Sequence, residues 1–419
     1  MIRQITNMRT SKRKKIKQKN SICGTALSLL LCTIFFAGMI SCQKIDEPIK
    51  ADPVVHSSNV IRTDLIEYGP YIFADGKYIR QYNLNTNLLS PSCVDPECQG
   101  TCLLEAAINK VTQAVDEKMF FSALDVKTLT VRYGYQDLVT RDIKVLVTLS
   151  QLEDNNSFNS FVWNGYMYYS CKLLREGGDS KKPDDYRPHI CRISVNGGDE
   201  EVVFESNGRL EMVVADKILT TADGNLNSYD IETGEKRTLI NLDEIGYKTF
   251  RGKNSYLDGK LYFLCGDGSY CVNQYNGKIY GYTYLLSVDI HTGEVKRVVE
   301  DPVISFALTN EAIYYAPFEL RYMYVPENYE ENPKGVVIFL ASPTLYACDL
   351  NGENTKAVYT NETMDYIEAF TVIDNKLYGW LYEFDDANHA FKDSYFGCID
   401  LETKEIIPAD VEEHPAFKN

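Results

Sequence analysis

Two kinds of turn alternate strictly along this 419-residue chain, seven of each, and that alternation leaves few folds open. The first joins an apolar run to a segment of the form Lys-Leu-Tyr. Its copies are Tyr68-Gly69, Asp116-Glu117, Asn164-Gly165, Asp216, Asp258-Gly259, Asn310-Glu311 and Asp374-Asn375. The second has the form Asp-Ile-x-Thr-Gly-Glu, clearest at 230–235 and 289–294, with related copies at Asn83, Ser194, Asp349 and Asp400 and a degenerate one near Asp137. Asx-Gly pairs between runs rich in Tyr, Ile, Val and Phe are hairpin chemistry, because tight hairpins need backbone with positive φ. Successive copies of either kind lie roughly 36 to 64 residues apart, close to the spacing of propeller repeats. The predicted fold class is all-β: a β-propeller of about seven four-stranded antiparallel blades, with the first turn joining strands A and B and the second joining C and D. Two β-sandwiches are the alternative. Only residues 103–108 suggest a helix. A strand near 60–66 or 405–407 is expected to close the ring, since an open ring exposes strand edges.

The N-terminus reads differently. Residues 1–20 hold eight basic and no acidic side chains, and an apolar run follows over 26–40. That is the pattern of an export signal rather than of a folded element. The run ends in Met39-Ile40-Ser41-Cys42, which resembles the lipobox of bacterial lipoproteins and implies a signal peptide over 1–41 and a lipid on Cys42. An uncleaved membrane anchor is the alternative, and either places the remainder outside the cytoplasm. Residues 42–58 carry Pro48 and Pro53 with no apolar period and read as a tether, which leaves 59–419 for the ectodomain. Without the eight basic residues of the signal, 35 basic face 59 acidic side chains, a net charge of −24. A field of that sign disfavours nucleic acid and anionic lipid headgroups as partners.

The Asp-Ile-x-Thr-Gly-Glu turns and Lys-Leu-Tyr hairpins together resemble a group of bacterial lipoproteins of unknown function with a low-density-lipoprotein-receptor-like propeller ectodomain. The resemblance spans about residues 60–410. The segment Cys93-Val94-Asp95-Pro96-Glu97-Cys98-Gln99-Gly100-Thr101-Cys102 is similar to that group's Cys-x-x-Pro-Asp/Glu-Cys motif with a third Cys. Here the segment is shorter and lacks the His that members carry after the second Cys.

Nine cysteines lie beyond Cys42, in a compartment that permits disulfides. Cys171 and Cys191 bracket the insertion 172–190, and a bridge there would staple its neck, with a chain-entropy contribution of about 3 kcal/mol. Cys265 and Cys271 flank a short hairpin and form a second candidate pair. Cys348 and Cys398 sit beside small residues and read as buried, inert thiols. Cys93, Cys98 and Cys102 fall one ligand short of a tetrahedral zinc site, so a disulfide plus one free thiol is the expectation and no metal or cofactor is implied.

Enzyme signatures are mostly absent: no Gly-x-Ser-x-Gly, no His-Glu-x-x-His and no phosphate loop. Paired carboxylates for glycoside hydrolysis remain an alternative, because 59 acidic residues offer many pairs. The long connections are all B-C or D-A: 90–104, 172–190, 266–283, 318–343 and 382–394. They are rich in tyrosine and carboxylates, namely Tyr186, Tyr270, Tyr275, Tyr322, Tyr324, Tyr329, Tyr382, Asp184, Asp185, Glu327, Glu330, Asp385 and Asp386. The functional expectation is a membrane-held binding or scaffolding module that takes a protein or glycan on the B-C/D-A face. A propeller hydrolase acting on glycan and an accessory or sensor subunit of an envelope complex are the alternatives.

Overall fold

The computed structural model describes residues 61–62, 65–74, 79–93, 108–125, 128–150, 153, 159–273, 277–324, 337–340, 342, 344–360, 364–385 and 390–412. Seven antiparallel four-stranded blades follow one another in a propeller, each made from one contiguous stretch of chain. Blade 1 holds Ile66–Tyr68, Tyr71–Ala74, Arg80–Asn83 and Leu88–Pro91; blade 2 holds Ile108–Val115, Lys118–Asp125, Thr130–Asp137 and Ile143–Leu149. Blade 3 holds Ser160–Trp163, Tyr166–Leu174, Tyr186–Ser194 and Glu201–Glu205; blade 4 holds Arg209–Val214, Lys217–Ala222, Asn225–Asp230 and Lys236–Asn241. Blade 5 holds Thr249–Leu257, Lys260–Gly266, Tyr284–Asp289 and Val295–Arg297; blade 6 holds Val303–Leu308, Ala312–Pro317, Thr344–Asp349 and Lys356–Thr360. Blade 7 holds Met364–Ile373, Lys376–Asp385, Ala390–Asp400 and Ile406–Pro408.

The Lys-Leu-Tyr signature follows from the second strand of a blade being covered on both faces. In blade 5, Lys260 is exposed at the turn. Leu261, Phe263 and Cys265 then pack toward blade 4, while Tyr262 and Leu264 pack toward blade 6. A period of two therefore puts alternate side chains into two different inter-blade cores. The same seams hold blades 1 and 2, 2 and 3, 6 and 7, and 7 and 1 together.

The two turn types prove to be one device. In blades 2, 3, 4, 5 and 7 the first turn puts both central residues at positive φ, with no glycine at Asp116 and Glu117 (49° and 56°) or at Asp374 and Asn375 (48° and 59°), which matches the twist of the flanking strands; blade 1 puts only Gly69 there, and in blade 6 neither Asn310 nor Glu311 is. In the second, the leading Asp accepts the amide protons two and three residues on: Asp289 Oδ1 takes His291 N at 2.9 Å and Thr292 N at 2.8 Å. Asp137, Asp230 and Asp400 do the same. Those backbone hydrogen bonds hold the four carboxyls below the usual carboxylate range. Asn83 and Ser194 fill the position with a neutral acceptor. The residue after the leading one donates its amide to the first turn, for example Ile231 to Asp216 O at 2.8 Å and Leu401 to Asn375 O at 3.0 Å. Both turns therefore sit side by side on one face of the ring. Near Asp137 the motif is not degenerate in structure, because Arg141 occupies the glycine position at φ 68°.

Closure of the ring differs from expectation. Ile66 belongs to the inner strand of blade 1 and 406–407 to the outer strand of blade 7, so neither is exchanged between the ends. Instead Asp410–Val411 lies parallel to Leu88–Leu89 on the outer edge of blade 1. Ile61–Arg62 pairs antiparallel with Tyr256 and Ser255, on the inner edge of blade 5, the edge that faces the axis. Inner strands run from the B-C/D-A face to the turn face, so Ile61–Arg62 runs the opposite way. Of the proposed helix, 103–107 lies outside the described residues and Ile108 begins a strand.

Candidate functional site

On the B-C/D-A face, the long B-C connections of blades 3, 5, 6 and 7 are built on β-hairpins rather than irregular loops; of the expected connection 90–104, residues 94–104 lie outside the described residues. In blade 3 the second and third strands pair from Tyr166–Ser194 out to Leu174–Tyr186; in blade 7 they pair out to Asp385–Ala390. Blades 5 and 6 each add a separate two-stranded hairpin, Tyr270–Val272 with Ile279–Gly281 and Leu320–Tyr324 with Val337–Leu340.

The tyrosines and carboxylates expected on this face have different fates. Tyr270 is 54 % exposed, and Asp184 is exposed at the blade 3 tip. Asp185 is turned inward: its carboxylate is ion-paired with Arg175 and accepts the Asp179 amide at 2.7 Å. Tyr186 is half-buried and donates its hydroxyl to Ser180 O at 3.2 Å. Tyr382 is half-buried opposite Ser394. Tyr322 and Tyr324 stand in the blade 6 hairpin opposite Ile338 and Val337, and Asp385 opposite Ala390. Tyr275, Glu327, Tyr329, Glu330 and Asp386 lie outside the described residues.

Among the cysteines, Cys171 and Cys191 are buried with their sulfurs 2.6 Å apart, both as thiols. The partner thiol and burial together push the Cys171 pKa up. Cys265 and Cys271 are not brought together as a bonded pair. Strand alternation sends Cys265 into the blade 4 seam, where burial raises its pKa, while Cys271 Sγ lies 3.7 Å from Tyr280 O. Cys348 and Cys398 are buried as expected, and burial lifts Cys348 to about 11. Cys93 is buried beyond the last strand of blade 1; Cys42, Cys98 and Cys102 lie outside the described residues.

Near the axis the structure gathers residues that do not stand out in the sequence. Adjacent blades are joined along their inner strands by polar contacts, part-buried from Thr371 to Glu67 (blades 7 and 1) and buried from Thr112 to Ser160 at 2.9 Å (2 and 3) and from Asn159 Nδ2, just before the blade 3 inner strand, to Leu210 O at 2.8 Å (3 and 4). Between blades 4 and 5 this collar opens into a small cleft of about 80 Å³ beside the hairpin face. At its floor Glu211, 5 % exposed, has both oxygens engaged. Oε1 accepts Thr221 Oγ1 at 2.5 Å and Oε2 accepts Asn254 Nδ2 at 2.7 Å, with Arg209 Nε 3.4 Å from Oε1. Arg209, Arg251 and Phe250 line the mouth. A wider cleft of about 560 Å³ opens between blades 6 and 7 near the turn face, where Glu311, Lys356, Glu402 and Lys404 mix both signs of charge.

No protein-family model matches the sequence, and no curated protein matches it. Among solved structures the chain is similar to a prolyl endopeptidase studied for inter-domain dynamics, at 9% identity and a TM-score of 0.52 over 85% of this chain and 51% of that one. It is also similar to the puromycin hydrolase S511A mutant (10% identity, TM-score 0.47, 84% of this chain and 53% of that one). A third is the β-propeller domain of the Trilobed protease of Pyrococcus furiosus (13% identity, TM-score 0.43, 81% of this chain and 95% of that domain). The chain spans about half the length of the first two. Such identities speak to fold alone, and the fold is a seven-bladed β-propeller.

Proposed function

We propose that this protein is a lipid-anchored, extracytoplasmic binding module whose ligand, a glycan or a protein, docks on the face that carries the B-C hairpins. The observation that carries this reading is the asymmetry of the ring. The turn face is built from short turns closed by their own hydrogen bonds, whereas blades 3, 5, 6 and 7 all project hairpins from the other face. Cys42→Ala is expected to abolish fatty-acid labelling and to release or mis-sort the protein; unchanged labelling would contradict the lipid anchor.

A disulfide between Cys171 and Cys191 belongs to the same reading, since the two buried sulfurs already face each other at the neck of the blade 3 hairpin. Non-reducing peptide mapping of exported protein is expected to recover the two peptides joined. Recovery of both as free thiols after denaturing alkylation would remove the staple.

A further inference from the structure

We infer that the cleft between blades 4 and 5 is a carboxylate-binding subsite for an acidic saccharide, with Arg251 as its principal ligand-contacting residue. The inference rests on the hairpin-face reading and names the ligand chemistry for it. Arg251 is exposed, and while its backbone pairs with Leu264 in the sheet, its guanidinium has no hydrogen-bonding or ionic partner among the described residues. In a chain with 59 acidic side chains, an unpaired guanidinium at the mouth of a cleft is a place prepared for an anion. Arg209 stands at the same mouth, its side chain 49% exposed, with Nε turned toward Glu211 at 3.4 Å. Glu211 is already held by Thr221 and Asn254, so it orients Arg209 and leaves the Arg251 side chain unpaired for a ligand. Guanidinium groups present planar pairs of N–H donors that match the two oxygens of a carboxylate.

The surroundings favour a saccharide as the carrier of that carboxylate. Arg251 Nη2 lies 3.9 Å from the position a Cβ would take on Gly281, and Gly281 is the cross-strand partner of Tyr270. The arginine therefore lies at the foot of the blade 5 hairpin. Tyr270, Val272 and Ile279 are 54%, 54% and 59% exposed, and the register Tyr270↔Gly281 and Val272↔Ile279 puts all three on one side of that hairpin. A sugar ring can lie on the tyrosine face while its carboxylate reaches the arginine. The cleft admits one small anionic group. An acidic protein would bring many further charges against a chain that is itself strongly acidic, a repulsion that an oligosaccharide of few charges avoids.

The test is calorimetric titration of the full chain with a glucuronate-containing oligosaccharide, its neutral glucose counterpart and oligoglutamate. Arg251→Ala is expected to weaken the acidic saccharide tenfold or more, Arg251→Lys to retain part of the affinity, and the neutral sugar to bind at least tenfold more weakly than the acidic one. Undiminished binding by Arg251→Ala, equal binding of the neutral sugar, stronger binding of oligoglutamate, or no binding of the acidic saccharide would each overturn the subsite. If the acidic saccharide survives Arg251→Ala but is lost when the blade 3 and blade 6 hairpins are shortened, the subsite falls and the hairpin-face reading stands. If it survives both changes, both fall.

Discussion

Replacing Phe396 with alanine is expected to cost the folded ring about 3–5 kcal/mol, the range for truncating a fully buried aromatic side chain. Phe396 is on the third strand of blade 7, is 0% exposed and packs across the seam into blade 1, its ring centroid 5.2 Å from Tyr82 and, within its own blade, 5.6 Å from Trp380. Because each blade is one contiguous stretch of chain, this seam has no exchanged strand to hold it. It is closed by side chains and by a relay in which Tyr82 donates to Asn87 Oδ1 at 2.7 Å and Asn87 Nδ2 to Pro408 O at 2.9 Å. The parallel strand 410–411 adds two amide bonds, Asp410 to Asn87 O and Glu412 to Leu89 O, both at 2.9 Å. Asp410→Pro removes one of them and should cost only about 1 kcal/mol. Denaturant unfolding of the two variants orders the contributions; a larger loss from Asp410→Pro than from Phe396→Ala would mean that the terminal strand, not the packed seam, closes the ring.

Gly352→Ala is expected to cost about 2–5 kcal/mol. Gly352 lies in the second turn of blade 6 at φ +80°, and a Cβ there would fall 1.7 Å from Val298 O of blade 5. Two penalties coincide. An alanine at positive φ costs about 1–2 kcal/mol, and forcing a methyl group into a packed seam adds about 1–3 kcal/mol. Gly224 separates them: it has φ +75° but nothing within 4 Å of its would-be Cβ, so Gly224→Ala should show the backbone penalty alone. Equal losses at the two positions in urea unfolding would show that blade 5 yields freely to the added methyl.

What the sequence makes legible here is local. Each turn is specified by residues within six positions of one another, so all fourteen could be placed by reading along the chain, and the blade count follows from them. What depends on partners from different blades is not legible. Glu211 is one carboxylate in an apolar run, Leu210-Glu211-Met212-Val213-Val214. That anomaly marks it, but only the meeting of two inner strands supplies Asn254 and Arg251. The projecting hairpins were hidden by their composition, since Tyr-rich segments with scattered charges read equally as loops. Strand alternation decides where side chains point: it turns Cys265 into a seam and sets Cys171 against Cys191, two facts that cysteine spacing alone cannot distinguish.

The most direct test of the functional account is to retain the ring and remove the hairpins. Residues 172–190 and 318–343 are shortened in the full chain, circular dichroism confirms that the propeller is intact, and capture of cell-wall glycan and envelope protein is compared with that of a variant altered only at the Asp258-Gly259 and Thr292-Gly293 turns. The account predicts saturable binding without turnover that falls tenfold or more, about 1.4 kcal/mol, in the shortened protein and is unchanged in the turn variant. Binding that survives the shortening and is lost from the turn variant would place the ligand on the opposite face and contradict it.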